Sequence, residues 1–484
     1  MFSIKSKIRD PINLAFLASI IYWVYLGLTT KMIIVYDAAT YEALGKRIVN
    51  QGWIEFFRTG PNREPFYPAL IAFSMGLGKS FGISYQFIQA LIQLLILFLT
   101  QVLTLRILRL LKINNLLSAL TILYLGISPA IVNSALSLFS EIATYPLILT
   151  IMLLIYRSWL SFTGPRFRII LLAIATSLLF VLMILNKGIF ELVTPVFFFL
   201  FILSALLTRN RKLIVNAFVY LVVVLGVFYS LVIGYKSANE IFNGHFVIAN
   251  RGAWGLYGST ARRMEPLTNE RFLTALAFVP GEGVCHSIFG EEKCRFWSFE
   301  KAGEFGSQKI SELNRSSMPP EVVDSTLILL SKQKVLQNPA QYVLLVAMEG
   351  LRMFFWESTQ VGFVEYPFVL RKLFDWRPFK DGLRLVIALL TLLAFAYLGA
   401  VIWRGRKNIL KTEGPLLFLY FCLLFIFSFI GAYLIFGIIV RYLFPIVPLY
   451  LIIIAYTLQE VCFLKEGKVK KTWVARNKNS NFFH

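Results

Sequence analysis

The chain of 484 residues is 57% hydrophobic and 15% charged, with a mean hydropathy of +0.69, which excludes an ordinary soluble globular protein. Its formal net charge of +22 would also suit a nucleic-acid-binding protein. Much of this charge, however, lies in short basic clusters between hydrophobic runs, as in the cytoplasmic loops of membrane proteins, so no nucleic-acid partner is expected. These clusters lie at 5–9, 106–112, 157–168, 209–212, 404–411 and 465–478.

The apolar runs are about 20 residues long, the length that a helix needs to cross a hydrocarbon core of roughly 30 Å. Helices satisfy their own backbone hydrogen bonds in lipid. We therefore predict an all-α polytopic membrane protein with about ten transmembrane helices, in a range of nine to thirteen. With the basic clusters in the cytoplasm, the predicted spans are 12–30, 85–105, 115–131, 142–157, 168–186, 190–207, 213–234, 384–403, 415–436 and 441–460.

Two polar segments on the non-cytoplasmic side, 31–84 and 235–383, are too long to be simple connections. Each contains an apolar stretch that we predict to lie at the membrane interface: 66–78, which is short, and 339–356, which carries Glu349 and Arg352 in its middle. The predicted organisation is an N-terminal transmembrane module at 1–234, the non-cytoplasmic segment 235–383, C-terminal spans in 384–464, and a basic cytoplasmic tail at 465–484.

Two of the four cysteines, Cys285 and Cys294, lie close together in the long polar segment. A zinc site would need further ligands, and the whole chain has three histidines. We therefore predict a disulfide between them, which would place that segment in an oxidising compartment.

Asp37 follows the first predicted span and begins a stretch with apolar residues at helical spacing. A carboxylate at the N-terminal end of an amphipathic helix can be a simple cap. It can equally be a general base held at the membrane surface.

Further charged residues sit at the same predicted side. Arg63 and Glu64 precede a turn containing Pro65 and Pro68, and Arg is well suited to hold a phosphate through two hydrogen bonds. Glu141 follows the third predicted span, where a helix cap is the simpler interpretation.

Two basic residues lie on the predicted outer side, where the positive-inside trend makes them unusual. Lys187 is in the turn between the fifth and sixth spans, and Arg441 is at the start of the last span. Together with the carboxylates above, these cations suit transfer from an anionic lipid-linked donor. A phosphate leaving group needs positive charge, and an attacking acceptor needs one carboxylate to take its proton.

Three segments carry a resemblance to the GT-C glycosyltransferases, with the aminoarabinose transferases and the protein O-mannosyltransferases most similar. The first combines Asp37-x-x-x-Tyr41, Gly52 and REPFYPALIAFSMGLGKSFG; the others are NKGIFELVTPVFFFL from Asn186 and RYLFPIVPLYLIIIAY from Arg441. The resemblance covers 30–200 and 437–456, not 235–383.

The resemblance implies catalytic carboxylates at Asp37, Glu64 and Glu141, and a phosphate-contacting lysine at Lys187. Some family members have an acidic pair in the first loop, whereas Ala38 follows Asp37 here, and no histidine aligns with the metal ligand of some relatives. No cofactor is therefore expected with certainty, and a divalent metal at the site is left open.

The expected function is that of an inverting glycosyltransferase with a GT-C-like bundle in a bacterial inner membrane, its active site facing the periplasm or exterior. It would move a sugar from a polyprenyl-phosphate donor, whose phosphate Arg63, Lys187 and Arg441 would hold, to a lipid, glycan or protein acceptor. Asp37 is the expected base, with Glu64 and Glu141 shaping the site.

Two alternatives remain. An O-antigen ligase or polymerase also has many spans and a large outer loop, in which Arg251, Arg262 and Arg263 would serve. A transporter or flippase of lipid-linked sugars would be expected to carry charges at the middle of the bilayer.

Overall fold

A computed structural model describes residues 10–60, 63–250, 252–316, 318, 320–358, 363–406, 408–410, 414–437 and 439–463. The predicted cytoplasmic tail at 465–484, the whole basic cluster at 5–9 and part of the basic cluster at 404–411 lie outside these residues.

The described residues are almost entirely helical. The α-helices, in chain order, are α1 Pro11–Thr29, α2 Asp37–Arg58, α3 Phe66–Phe81, α4 Tyr85–Leu110, α5 Asn115–Ile127, α6 Pro129–Leu136, α7 Glu141–Ser161, α8 Arg166–Asn186, α9 Phe190–Leu207, α10 Arg211–Asn243, α11 Gly252–Arg263, α12 Asn269–Phe278, α13 Glu282–Phe289, α14 Glu291–Arg295, α15 Phe299–Arg315, α16 Pro320–Gln337, α17 Pro339–Gly350, α18 Phe368–Asp375, α19 Arg377–Gly405, α20 Pro415–Phe436 and α21 Val447–Phe463. The 3₁₀ helices are Leu351–Phe354 and Val440–Ile446, and the strands are β1 Lys31–Met32 and β2 Val364–Glu365.

Nine helical segments within the described residues are long and apolar enough to cross a membrane: α1, α4, α7, α8, α9, α10, α19, α20 and Val440–Cys462. The chain is thus an all-α polytopic integral membrane protein, as predicted from the apolar runs. The spans differ in length more than predicted, since α10 has 33 residues and continues past the predicted boundary at 234 to Asn243.

The third predicted span, 115–131, is a pair of helices rather than a single straight helix. Helices α5 and α6 are bent by 47° at a short break. Ser128 occupies the break, its side chain accepts from the backbone N–H of Ile131, and Pro129 starts α6. A capped helix start with proline in its first turn begins a new helix easily, which explains the bend.

Helix α1 illustrates how the bundle meets lipid. Its buried side chains, among them Ser19 and Trp23, recur at helical spacing on one face, and this face packs on α5. The rest of the helix exposes large apolar side chains such as Ile21 and Leu28. Such surface is stable only against hydrocarbon, which agrees with a membrane span.

The region between α10 and α19 forms a helical unit with two small cores of its own. One core contains Phe278 and Trp297, together with Cys285 and Cys294, which are joined by a disulfide with their Cα atoms 5.9 Å apart. The other core lies between α11, α15 and α16. Helix α17, with 12 residues, extends about 18 Å and is too short to span a membrane.

Strands β1 and β2 form an antiparallel pair that joins two distant parts of the chain. Lys31 pairs with Glu365 and Met32 with Val364, and the backbone N–H of Ile33 donates to Phe363 at 3.1 Å. This pairing anchors the segment between α1 and α2 beside the segment that precedes α18.

Candidate active site

Helix α2 begins at Asp37, directly after the segment held by β1. The preceding residue, Tyr36, has φ of 49° and ψ of −118°, a conformation that non-glycine residues rarely adopt. This sharp turn lets α2 pack against α3 and sets the position of the Asp37 side chain.

Two guanidinium groups hold the Asp37 carboxylate. Arg63 donates to Oδ1 and Arg441 donates to Oδ2, so residues far apart in the chain meet at one carboxyl group. The Asp37 side chain remains 24% exposed, so it can be reached from outside the bundle.

Glu141 lies deeper in the same place. Its carboxylate, 3% exposed, contacts Lys187 Nζ at 2.9 Å and Arg441 Nε at 3.5 Å. Arg441 therefore bridges Asp37 and Glu141, and the five residues Asp37, Arg63, Glu141, Lys187 and Arg441 form one ion-pair cluster.

Glu64 borders this cluster without an ion pair among the described residues. Its Oε1 accepts from the backbone N–H of Gly188 at 2.6 Å. A Cβ atom at Gly188 would lie 3.1 Å from this oxygen, so the glycine allows the close approach. Glu64 thereby fixes the turn that carries Lys187.

Aromatic rings line the cations. The Arg63 guanidinium lies 5.0 Å from the Tyr41 ring centre, Lys187 Nζ lies 5.4 Å from Tyr442, and Arg441 lies 4.6 Å from Phe139. Cation–π contacts at partly desolvated sites hold the charged groups in place while leaving hydrogen-bond donors available.

The local charges keep Arg63 protonated. Burial lowers the pKa of Arg63, but Tyr41, Asp37 and Glu64 together outweigh burial and leave the pKa raised. A permanently charged guanidinium with two parallel donors is the form that binds a phosphate group.

Two buried polar atoms at this place, Arg63 Nε and Asn186 Oδ1, have no hydrogen-bond partner among the described residues. The amide nitrogen of Asn186 is used, since it donates to Ser140 O at 2.8 Å. Native proteins leave few buried polar atoms unpaired, so these atoms mark positions that a bound substrate can satisfy.

The six residues singled out from the sequence thus meet at one place. Sequence reasoning missed the rings of Phe139 and Tyr442 and the Ser140 hydroxyl, which accepts from Tyr41 at 3.2 Å. Ser140 precedes Glu141 and Tyr442 follows Arg441, so their position next to predicted site residues was the one sign of their role. Nothing in the local sequence indicates which residues they contact.

The described part of the chain contains no group of three or more His, Cys, Asp or Glu side chains placed to hold a metal ion. Asp37 and Glu141 are instead occupied by cationic side chains. The described residues therefore do not fit a metal ion held by such a set.

Two of the three arginines that a ligase would use, Arg262 and Arg263, pair with a glutamate. Arg262 and Arg263 are buried and contact the two oxygens of Glu349 at 2.5 and 2.6 Å, while Arg251 lies outside the described residues. The charges of Arg263 and Arg262 outweigh burial and lower the pKa of Glu349 to about 2. This triad holds α11 against α17 and leaves both arginines engaged within the protein.

The chain matches no protein-family model and no curated protein. Its function is therefore inferred from the geometry of the site.

Proposed function

We propose that the protein is an inverting glycosyltransferase of the GT-C type. It transfers a sugar from a polyprenyl-phosphate donor to a lipid, glycan or protein acceptor. The observation that carries this proposal is the ion-pair cluster, in which three cations and two carboxylates from distant parts of a membrane-spanning chain converge.

The cations suit the leaving group. When the bond between the sugar and the phosphate breaks, negative charge grows on the phosphate oxygen, and pre-positioned cations stabilise it. Asp37 and Glu141 hold Arg63, Lys187 and Arg441, so the three cations are already close to one another before the donor phosphate binds.

Asp37 is the base in this proposal and Glu141 the orienting group. Asp37 is 24% exposed whereas Glu141 is 3% exposed, so an acceptor reaches Asp37 more readily. Once a phosphate attracts Arg63 and Arg441, the Asp37 carboxylate loses stabilising contacts and gains proton affinity.

The transfer step is a single displacement. The acceptor oxygen or nitrogen forms a bond to the anomeric carbon while the bond from that carbon to the phosphate oxygen breaks. Asp37 takes the acceptor proton, and polyprenyl phosphate leaves with the bonding electron pair. Attack opposite the leaving group inverts the anomeric centre.

The proposed location is a bacterial inner membrane, with the cluster facing the periplasm or exterior. The connections between spans that carry the basic clusters of the sequence are expected on the cytoplasmic face. The ion-pair cluster is proposed for the other face. The disulfide between Cys285 and Cys294 supports an oxidising environment for the region between α10 and α19.

The test is transfer of lipid-linked sugar by membranes containing the Asp37→Asn variant. Loss of the base should lower the rate by about a hundredfold or more. Glu55→Gln, on the same helix and facing solvent in part, is the matched control and should transfer at the wild-type rate. Equal rates for Asp37→Asn and Glu55→Gln would remove Asp37 from this role.

A further inference from the structure

A polar cavity lies close to the candidate active site, although none of the six candidate residues lines it. It has a volume of about 140 Å³ and lies between the end of α11, the start of α15 and the segment after α20. A water molecule occupies roughly 30 Å³ of liquid. The cavity, which we call the Arg352 cavity, therefore has room for a polar group of a ligand.

Its charged wall contains an arginine, Arg352, that makes no ion pair within the described residues. Arg262 also lines the cavity, but Glu349 pairs with Arg262 and Arg263. The Arg352 guanidinium has no hydrogen-bond or ion-pair partner among the described residues, and its Nε is buried. It rests on the ring of Phe278, 4.8 Å from its centre.

The pKa of Arg352 shows that its surroundings disfavour the charged guanidinium. Burial, together with the charges of Arg262 and Arg384, lowers the pKa of Arg352 to about 10, although the carboxylates of Glu349 and Glu282 act in the opposite direction. A buried charge without a full partner costs free energy, which an anionic group in the cavity would offset.

The remaining lining suits a sugar. The side chains of Trp297 and Phe299 add apolar surface, and Glu282 and Glu300 stand at the exposed mouth. An apolar aromatic surface with a few convergent polar groups is typical of small-ligand sites. Carboxylates accept hydrogen bonds from hydroxyl groups, whereas solvent screens their repulsion of an anion at Arg352.

The cavity adjoins the ion-pair cluster. Gly437 and Ile439 line it, shortly before Arg441 in the chain. The ring of Phe299 lies 6.3 Å from that of Tyr442, and Tyr442 in turn lies 5.4 Å from Lys187 Nζ. Two aromatic rings, those of Phe299 and Tyr442, would therefore separate a ligand in the cavity from Lys187 of the proposed donor-phosphate site.

We propose that the Arg352 cavity binds an acidic sugar of the acceptor, with the carboxylate or phosphate of that sugar at Arg352 and its hydroxyls at Glu282 and Glu300. This inference rests on the proposed function and names the acceptor class, an acidic saccharide, that the function leaves open.

The test is calorimetric binding to the purified full-length protein in detergent, with glucuronic acid, glucose 6-phosphate, glucose and inorganic phosphate as probes. The wild type should bind at least one acidic sugar more tightly than glucose and inorganic phosphate. Arg352→Gln should weaken acidic-sugar binding about tenfold or more, and Arg352→Lys should restore part of it. Arg371→Gln, an exposed arginine of α18, should leave binding unchanged.

Glu300→Gln is a second test variant, and it should fold normally because the Glu300 side chain is exposed. This substitution should weaken sugar binding severalfold. Equal affinity for glucose and both acidic sugars, or wild-type binding by both Arg352→Gln and Glu300→Gln, would overturn the inference. Equal affinity for inorganic phosphate and the acidic sugars would also overturn it, because no sugar would then be recognised.

Failure of this inference can be told apart from failure of the proposed function. If the cavity is an acceptor site, Arg352→Gln raises the acceptor KM while kcat is retained, and Asp37→Asn leaves probe binding intact. A normal acceptor KM in Arg352→Gln membranes that still transfer sugar would reject the cavity alone. Probe binding without transfer to any acceptor would reject the glycosyltransferase.

Discussion

Arg441 is the residue on which the ion-pair cluster depends most. It contacts Asp37 through Nη2 and Glu141 through Nε, whereas Lys187 contacts Glu141 alone among the ion pairs within the described residues. A guanidinium can serve two carboxylates at once because its donors form a rigid fork, which the single ammonium of lysine cannot reproduce.

We therefore expect Arg441→Gln to lower the rate of sugar transfer by about a hundredfold or more, as removal of one charge-stabilising donor does in other enzymes. Arg441→Lys should retain an intermediate rate, because it keeps the charge without the fork. The measurement is the initial rate at saturating donor, with the exposed Arg58→Gln of α2 as control. A rate for Arg441→Gln equal to that control would contradict this role.

Sequence alone indicated the six site residues because each has an unusual charge for its place in a membrane chain or belongs to a motif. Their pairing was not predictable. Asp37 and Arg441 are 404 residues apart, and no local pattern encodes such a contact. The lack of an ion pair at Arg352 was equally unpredictable, since Glu349 pairs with Arg262 and Arg263 instead.

At the scale of elements, the contact between α1 and α5 is unusually close. A Cβ atom at Gly126 would lie 2.0 Å from Ser19 Oγ and 2.8 Å from Gln101 Nε2. In addition, the Trp23 indole N–H donates to the backbone oxygen of Gly126 at 2.8 Å. Small residues at helix contacts let backbones approach in this way within membranes.

Gly126→Ala should therefore lower the thermal unfolding temperature of the detergent-purified protein, because the two helices must separate and the Trp23 hydrogen bond weakens. Gly226→Ala is the matched control, since a Cβ atom there meets nothing within 4 Å. It should leave the unfolding temperature unchanged or raise it slightly, because alanine favours helix more than glycine does. An equal effect of the two substitutions would argue against close packing at Gly126.

The spans were predictable at this scale because hydropathy is a local property of the sequence. The bend between α5 and α6 was not predicted, although Ser128 and Pro129 carry a helix-start signal. The reason is that the residues around the break are part of one apolar run, whose length alone is enough for a single straight span. The pairing of β1 with β2 also escaped prediction, since two-residue strands have no periodicity to detect.

At the scale of the whole molecule, the structure brings together parts of the chain that a linear threading keeps apart. The ion-pair cluster draws on the segments after α1, before α3, at the start of α7, before α9 and before α21. The helical unit between α10 and α19 adds the Arg352 cavity beside it. The proposed donor site thus combines residues from both halves of the chain, whereas the proposed acceptor cavity is lined by residues of the second half.

The central claim is that this molecule transfers a sugar from a polyprenyl-phosphate donor with Asp37 as base. The most direct measurement is mass spectrometry of envelope lipids and glycans from a deletion strain complemented with the wild type, Asp37→Asn or Glu55→Gln. We predict that the deletion strain and the Asp37→Asn strain lack one sugar addition and accumulate a polyprenyl-phosphate sugar, and that Glu55→Gln restores the wild-type profile. A deletion profile identical to that of the parent strain would contradict the claim.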